Sequence, residues 1–139
     1  MNGIINRLLG RKRGTSTRMG VGACEWQPPH VVQPSYELKE TDRELWQAFE
    51  RYAAMPLVFE DLETYVPVAG EPSTAHLKAN TDFCWWSRSN GDLLILVERL
   101  FAGFPDPLTF SLLACDVAHG RLHDLGQFWV WPDTWTRAQ

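Results

Sequence analysis

Four side chains that could do acid–base or metal chemistry lie close together in the sequence: Asp116, His119, His123 and Asp124. Imidazole nitrogens and carboxylate oxygens are ligands for zinc and iron, so the cluster suggests a small metal-dependent hydrolase. A zinc-protease helix, however, needs a glutamate directly after its first histidine, whereas Gly120 follows His119. In a hairpin, His119 would lie in the turn and His123 would face Asp116 across the strands. We favour this structural Asp–His pair and keep the hydrolase, with Asp116, His119 and His123 as metal ligands, as an alternative.

The three cysteines form no redox or metal-binding motif. Cys24, Cys84 and Cys115 are odd in number and widely spaced, with no Cys-x-x-Cys pair. Apolar neighbours flank Cys84 and Cys115, which predicts buried, reduced thiols in a cytoplasmic protein rather than activated nucleophiles. The sequence also has no Gly-x-Ser-x-Gly elbow, no Gly-x-Gly-x-x-Gly turn and no phosphate-binding loop, so it indicates no cofactor. These observations favour a non-enzymatic protein.

Charge is distributed unevenly along the chain. Residues 1–20 contain five basic side chains and no acid, whereas the other 119 residues contain eight basic and 17 acidic side chains. The acidic body is a poor candidate for duplex nucleic-acid binding, because phosphate neutralisation needs clustered lysine and arginine. It suits a partner protein with a basic surface. The carboxylates of Glu60, Asp61 and Glu63 are predicted to steer such a partner.

Tryptophan is unusually frequent, with seven residues in a chain of 139. Neighbouring residues of a strand point to opposite faces, so Trp85 and Trp86 cannot enter the same core. With one helix to cover the sheet, some indoles should remain at the surface, where aromatic side chains anchor protein partners. We therefore predict partner binding by Trp85 or Trp86 together with Trp129 or Trp131. In the competing interpretation, the N-terminal segment and the long loop at 64–80 cover the second face.

Residues 1–35 are predicted to form a basic leader that contains proline and glycine, with no regular element before about residue 40. Four apolar residues between positions 4 and 9 recur at helical spacing beside the cations of this arm. A short amphipathic helix here could contact an anionic membrane or nucleic acid, which is a third functional hypothesis. A solvated, flexible terminus is the competing interpretation. The cations of the arm are Arg7, Arg11, Lys12, Arg13 and Arg18.

Residues 36–139 are predicted to form a single acidic α+β domain. A helix is predicted over 42–54, because Thr41 and Glu44 form a capping box and apolar residues follow at helical spacing. Pro56 ends this helix, since it lacks an amide proton. The elements expected next are short strands at 57–62 and 64–68 and a loop at 70–80.

Two hairpins are predicted to complete the sheet. Asn90-Gly91 between apolar runs at 83–88 and 93–100 is a strong hairpin signal, because both turn residues need positive φ. The expected cross-strand pairs are Trp86 with Ile95, Cys84 with Val97 and Asp82 with Arg99. A second hairpin joins strands at 108–117 and 122–131. The predicted fold is one main helix packed on a mainly antiparallel sheet of four to six strands.

Overall fold

The computed structural model of the chain describes residues 19–20, 24–31, 36–80, 83–99 and 109–139. The fold is α+β, as predicted, with one main helix and a mostly antiparallel sheet. Within these ranges, the sheet has seven strands in the order β1-β6-β5-β4-β3-β2-β7, and β2 pairs with β7 in parallel. The elements are β1 (Trp26–Gln27), α1 (Glu40–Ala53), β2 (Val58–Asp61), a 3₁₀ turn (Leu62–Thr64), α2 (Thr74–Asn80), β3 (Phe83–Ser89), β4 (Asp92–Glu98), β5 (Phe110–Asp116), β6 (Arg121–Phe128) and β7 (Thr136–Arg137). The sheet exceeds the predicted four to six strands because two-residue strands, β1 and β7, are added at its margins.

Helix α1 begins two residues before the predicted start. The Asp42 carboxylate accepts the backbone N–H of Lys39 at 2.8 Å, so Lys39 is the N-cap and Thr41 lies inside the helix. An acceptor at this position satisfies one of the N–H groups that a helix start leaves without an intrahelical partner. The buried side of α1 includes Trp46 and Phe49, both of which pack against the sheet.

The β3–β4 hairpin has the predicted register. Trp86 lies opposite Ile95 and Cys84 opposite Val97. Asn90 and Gly91 have φ values of 53° and 88°, as a two-residue hairpin turn with both central residues left-handed requires. Asp82, the predicted partner of Arg99, lies outside the described residues. Arg99 Nη2 lies 3.3 Å from the Asp124 carboxylate.

The β5–β6 hairpin forms, but its predicted register is wrong. Asp116 lies opposite Arg121, and His123 lies opposite Ala114 rather than Asp116. The turn is longer than a two-residue loop, and an irregularity between Ser111 and Leu113 shifts the pairing further along the strands. Residue counting from a presumed turn cannot detect such a shift. Strand β6 also ends at Phe128, so the segment that follows it is not part of the strand.

The two faces of the sheet are both covered. On the helix face, Leu94, Leu96 and Leu112 share a core with α1, with Trp26 and with residues 129–139, which we call the C-terminal segment. On the loop face, residues 62–80, which we call the cover segment, bury the opposite side of β4. The residues of this second core are Leu62, Tyr65, Leu77, Leu93, Ile95 and Val97. Burial from both sides explains the uninterrupted apolar run of β4.

The cover segment differs from its prediction. A loop was expected at 70–80, but Thr74–Asn80 form helix α2. A strand was expected at 64–68, but residues 62–64 form a 3₁₀ turn and residues 65–68 form no regular element. Sparse apolar residues anchor this segment, so the periodicity that identifies an amphipathic helix or a half-buried strand is missing.

Part of the N-terminal region packs into the body. Met19, Cys24 and Trp26 belong to the helix-face core, and Trp26–Gln27 pair with the end of β6. The expectation of no regular element before residue 40 is therefore wrong. The division into a leader at 1–35 and a domain at 36–139 stays a prediction. Among the described residues, no helix combines the length and apolar character needed to cross a lipid bilayer.

A substitution at Gly126 tests the packing of Trp26 against β6. Its φ is +130°, and a methyl group there would overlap the Trp26 indole, whose Nε1 donates to the Leu125 carbonyl at 2.9 Å. We expect Gly126→Ala to lower the free energy of unfolding by about 3 kcal/mol or more in urea denaturation. Gly91→Ala is the matched control, because it has positive φ and open space around it, and should cost about 1 kcal/mol. Equal losses in the two variants would contradict the close packing of Trp26.

Candidate functional site

A groove with a volume of about 450 Å³ lies on the loop face, where β2 pairs with β3. The antiparallel register places Glu60 directly opposite Trp86, so the carboxylate and the indole are neighbours on the same face. We call this the Trp86 groove. Its lining residues are Pro56, Leu57, Val58, Glu60, Trp86, Ser87 and Arg88.

The Trp86 indole is half-buried and held by several contacts. Its Nε1–H donates to the carbonyl of Asp61 at 3.1 Å and to the hydroxyl of Thr64 at 3.0 Å. The Tyr65 ring packs edge-on at 5.7 Å between centroids, and the Arg88 guanidinium lies 5.0 Å from the indole centroid. Since the polar atom of the indole is already bonded, the exposed part offers an incoming group apolar and π surface.

Arg88 is bound by the cover segment. Its Nε and Nη2 donate to the two carboxylate oxygens of Glu71 at 3.1 and 2.6 Å, and Nη2 also donates to the Val66 carbonyl at 2.9 Å. The Glu71 side chain is fully buried. The hydrogen bond from Arg88 lowers the pKa of Glu71, although burial acts in the opposite direction. The positive charge of Arg88 is therefore neutralised inside the protein and does not make the groove basic.

Tyr65 strengthens the same network. Its hydroxyl donates to the Pro72 carbonyl at 2.8 Å and lies 3.3 Å from the Glu71 carboxylate. Burial, reinforced by the charge of Glu71, raises the pKa of Tyr65 to about 12. The neutral phenol keeps its proton at physiological pH and acts as a hydrogen-bond donor beneath the groove.

The predicted acidic residues lie at the end of β2 and in the turn after it, and we call them the acidic rim. Glu60 lines the groove, whereas Asp61 lies in register with Trp85 on the helix face. Glu60 is half-buried and accepts a hydrogen bond from the Thr64 hydroxyl at 3.3 Å, whereas Asp61 and Glu63 are exposed. Asp61 lies 4.0 Å from the guanidinium of Arg137, at the limit of an ion pair. One loosely placed cation beside three carboxylates leaves this rim negative.

The four predicted partner-binding tryptophans occupy different places. Trp86 lines the groove with Glu60, whereas Trp85 is 9% exposed and belongs to the helix-face core. The Trp131 ring packs 5.5 Å from Trp85 and is half-buried, as is Trp129. The predicted separation of Trp85 and Trp86 to opposite faces is confirmed. All seven tryptophans lie in the described part of the chain and are buried or half-buried, because α1 and the C-terminal segment cover one face and the cover segment the other.

The structure brings together three residues of the predicted metal cluster. His119 Nδ1 lies 2.7 Å and His123 Nε2 lies 3.7 Å from the same Asp116 oxygen. The hydrogen bond from His119 lowers the pKa of Asp116. Asp124 lies elsewhere, against Arg99 and the Gly126 N–H, and burial raises the pKa of its carboxyl. Within the described ranges, no three His, Cys, Asp or Glu side chains form an arrangement that could hold a metal ion.

The thiols of Cys24 and Cys115 are not activated. Burial raises the pKa of Cys24 to about 12, and it also raises the pKa of Cys115. A nucleophilic cysteine needs the opposite shift, toward the thiolate. The predicted cationic arm, Arg7, Arg11, Lys12, Arg13 and Arg18, lies outside the described residues.

No family model, curated protein or solved structure matches the chain. Sequence reasoning missed Arg88, Tyr65 and Glu71. Strand parity alone could have identified Arg88, since it lies two residues after Trp86 and must share its face. The partner of Arg88 comes from a segment without periodicity, so no sequence pattern points to Glu71.

Removing Arg88 and removing Glu71 should destabilise the protein by different amounts. Arg88→Met leaves a fully buried carboxylate without its cation and should lower the free energy of unfolding by about 3–5 kcal/mol. Glu71→Gln leaves a partly exposed guanidinium that water can reach, and should cost about 1–3 kcal/mol. Urea denaturation of both single variants and the double variant measures the coupling. Additive losses would mean that the two side chains do not interact.

The lowered pKa of Glu71 predicts the direction of its pH dependence. A carboxyl whose folded pKa lies below the ordinary value of 4.5 stabilises the fold above that value, and this stabilisation is lost as the pH falls through the folded pKa. We expect acid to weaken the wild-type protein more than Glu71→Gln, measured as unfolding free energy at pH 7 and pH 3. Identical pH curves for wild type and Glu71→Gln would contradict the lowered pKa.

Proposed function

We propose that this chain is a non-enzymatic, cytoplasmic protein-binding protein, acting as an inhibitor, immunity factor or adaptor. It binds a partner with a basic surface through the Trp86 groove and the acidic rim of Glu60, Asp61 and Glu63. The observation that carries the proposal is the half-buried indole of Trp86, fixed by its hydrogen bonds beside the Glu60 carboxylate. It combines an aromatic anchor and an acidic rim on one surface.

The groove has the composition of a protein-binding centre. Energetically important interface residues are often aromatic, lie in well-packed pockets and are surrounded by a rim that excludes water. Trp86 supplies the aromatic surface, and Val58, 50% exposed, supplies apolar surface beside it. Because Trp86 is immobilised before any partner arrives, binding would cost little side-chain entropy at this position.

The rim determines the sign of the partner's charge. Glu71 neutralises Arg88 internally, so the charges that face solvent near the groove come mainly from the acids. Such a patch attracts a basic surface and raises the rate of encounter, an effect that salt weakens. A duplex nucleic acid would be repelled by the same charges.

The non-enzymatic and cytoplasmic parts of the proposal are supported by the remaining reactive groups. One oxygen of Asp116 already faces His119 of the β5–β6 turn and His123 of β6, and the other accepts the Ala118 N–H. Cys24 is a free, buried thiol, as is common in a reducing compartment.

Charge reversal tests the proposal. We expect Glu60/Asp61/Glu63→Lys to slow association with the partner by about tenfold or more at low salt, because the acidic rim no longer steers the encounter. The partner is first captured from host lysate at low and high salt, then purified. Its association rate constant is measured by stopped-flow mixing across a salt series, which should be steeper for wild type than for the variant.

A second triple variant controls for net charge. Glu37, Glu44 and Asp133 are exposed and lie outside the groove, so their reversal to Lys makes the same total change. We expect this control to keep most of the wild-type rate. If both triple variants associate equally fast, or if the rim variant keeps the wild-type salt dependence, the proposed docking surface is wrong.

A further inference from the structure

The protein uses the same arrangement of arginine, indole and carboxylate at two places. Arg88 lies 5.0 Å from the Trp86 centroid and is paired with Glu71. On the opposite face, the Arg137 guanidinium lies 5.1 Å from the Trp85 centroid and 4.0 Å from the Asp61 carboxylate. In both cases a planar cation lies near an aromatic ring while a carboxylate balances its charge, a combination that arginine suits better than lysine.

The Trp86 groove places a second carboxylate beside the indole of the first arrangement. Glu60 lies directly opposite Trp86 in the strand register, and its carboxylate accepts the Thr64 hydroxyl at 3.3 Å. Among the described residues, no lysine or arginine forms an ion pair with Glu60. Glu60 is therefore a half-buried carboxylate without a cation among these residues, beside an indole whose neighbouring cation, Arg88, is already paired with Glu71.

We propose that the Trp86 groove binds an arginine side chain of the partner protein. The guanidinium lies against the Trp86 ring and pairs with the Glu60 carboxylate, and its methylene groups lie along Val58 and Pro56. This inference rests on the proposed function and specifies the chemistry of its partner. The volume of about 450 Å³ is ample for an arginine side chain, since clefts of roughly 300–1,000 Å³ accommodate ligands larger than this.

The position of the groove explains why the arginine should come from an extended segment of a protein. Strand β7 is only two residues long and pairs with Val58 and Phe59, so the groove lies near the margin of the sheet. A chain running past this margin can insert one side chain while its neighbours remain in solvent. Glu63 is exposed and adjoins Thr64, whose hydroxyl accepts the Trp86 N–H, so its charge favours further basic residues in the flanking positions.

Three matched peptides test the inference. The probe is a capped seven-residue peptide, Gly-Lys-Gly-X-Gly-Lys-Gly, in which X is arginine, lysine or citrulline. Citrulline keeps the planar shape of arginine without its charge, and lysine keeps the charge without the plane. We expect the arginine peptide to bind about five- to tenfold more tightly than either of the others by calorimetric titration at low salt. It should also shift the indole N–H resonance of Trp86, assigned by its loss in Trp86→Phe.

Two conservative variants locate the binding. Glu60→Gln should remove the preference for arginine over citrulline, because the carboxylate that pairs with the guanidinium is gone. Glu63→Gln is the matched control: it removes one rim charge outside the groove, so it should weaken the lysine and arginine peptides similarly and preserve their ratio. The wild-type resonance shift serves as the readout should either variant fold poorly.

Each result decides the matter. A tightest-binding arginine peptide, with a shifted Trp86 resonance and a ratio that depends on Glu60, supports the inference. Equal binding of the three peptides, no binding up to millimolar peptide, or shifts confined to other residues overturns it. If the peptides do not discriminate but rim reversal still slows the purified partner, the arginine assignment fails and the protein-binding function stands. If rim reversal leaves the partner unaffected, the proposed function itself fails.

Discussion

The ion pair between Arg88 and Glu71 is the interaction on which the two-faced burial of the sheet depends. Helix α1 covers one face, which leaves Leu93, Ile95 and Val97 of β4 in need of a second cover. The segment that supplies it has a 3₁₀ turn, a short helix and an irregular stretch, so its own backbone hydrogen bonds do little to fix its position. Arg88 reaches across from β3 and binds both the Glu71 carboxylate and the Val66 carbonyl, which fixes the segment at two points.

The net energy of such a pair is modest, because desolvating two charges offsets much of their attraction. Its value here lies in specificity, since a bidentate contact sets one position for a segment that apolar contacts alone would leave free to slide. Tyr65 adds a hydrogen bond to Glu71 and an edge contact with Trp86. The same few side chains thus hold the cover segment in place and orient Trp86. The groove is rigid because its aromatic residue is fixed by the contacts that also stabilise the fold.

Local sequence patterns predicted some of this architecture well. Asn90-Gly91 and strand parity together determine the β3–β4 register, because a two-residue turn leaves no freedom in pairing. Parity also separates Trp85 from Trp86. The register of β5 and β6 could not be obtained in this way, since a longer turn and an irregularity displace the pairing without any local signature. Helix α2 was missed because few buried residues define it. The indoles expected at the surface, Trp86, Trp129 and Trp131, are half-buried because the segments beside the sheet cover part of each ring.

The candidate site shows the same division between local and long-range information. The positions of Glu60 and Trp86 within their own strands follow from sequence, but their adjacency follows from the pairing of β2 with β3, which no turn of fixed length determines. The pairing of Arg88 with Glu71 is longer in range still. This pair determines the net charge around the groove, because an unpaired Arg88 would add a cation beside Trp86 and favour an acidic partner. Because the buried Glu71 neutralises Arg88, the carboxylates of the rim leave the surface around the groove negative. A side chain of the cover segment thus determines that a partner must present a basic surface here.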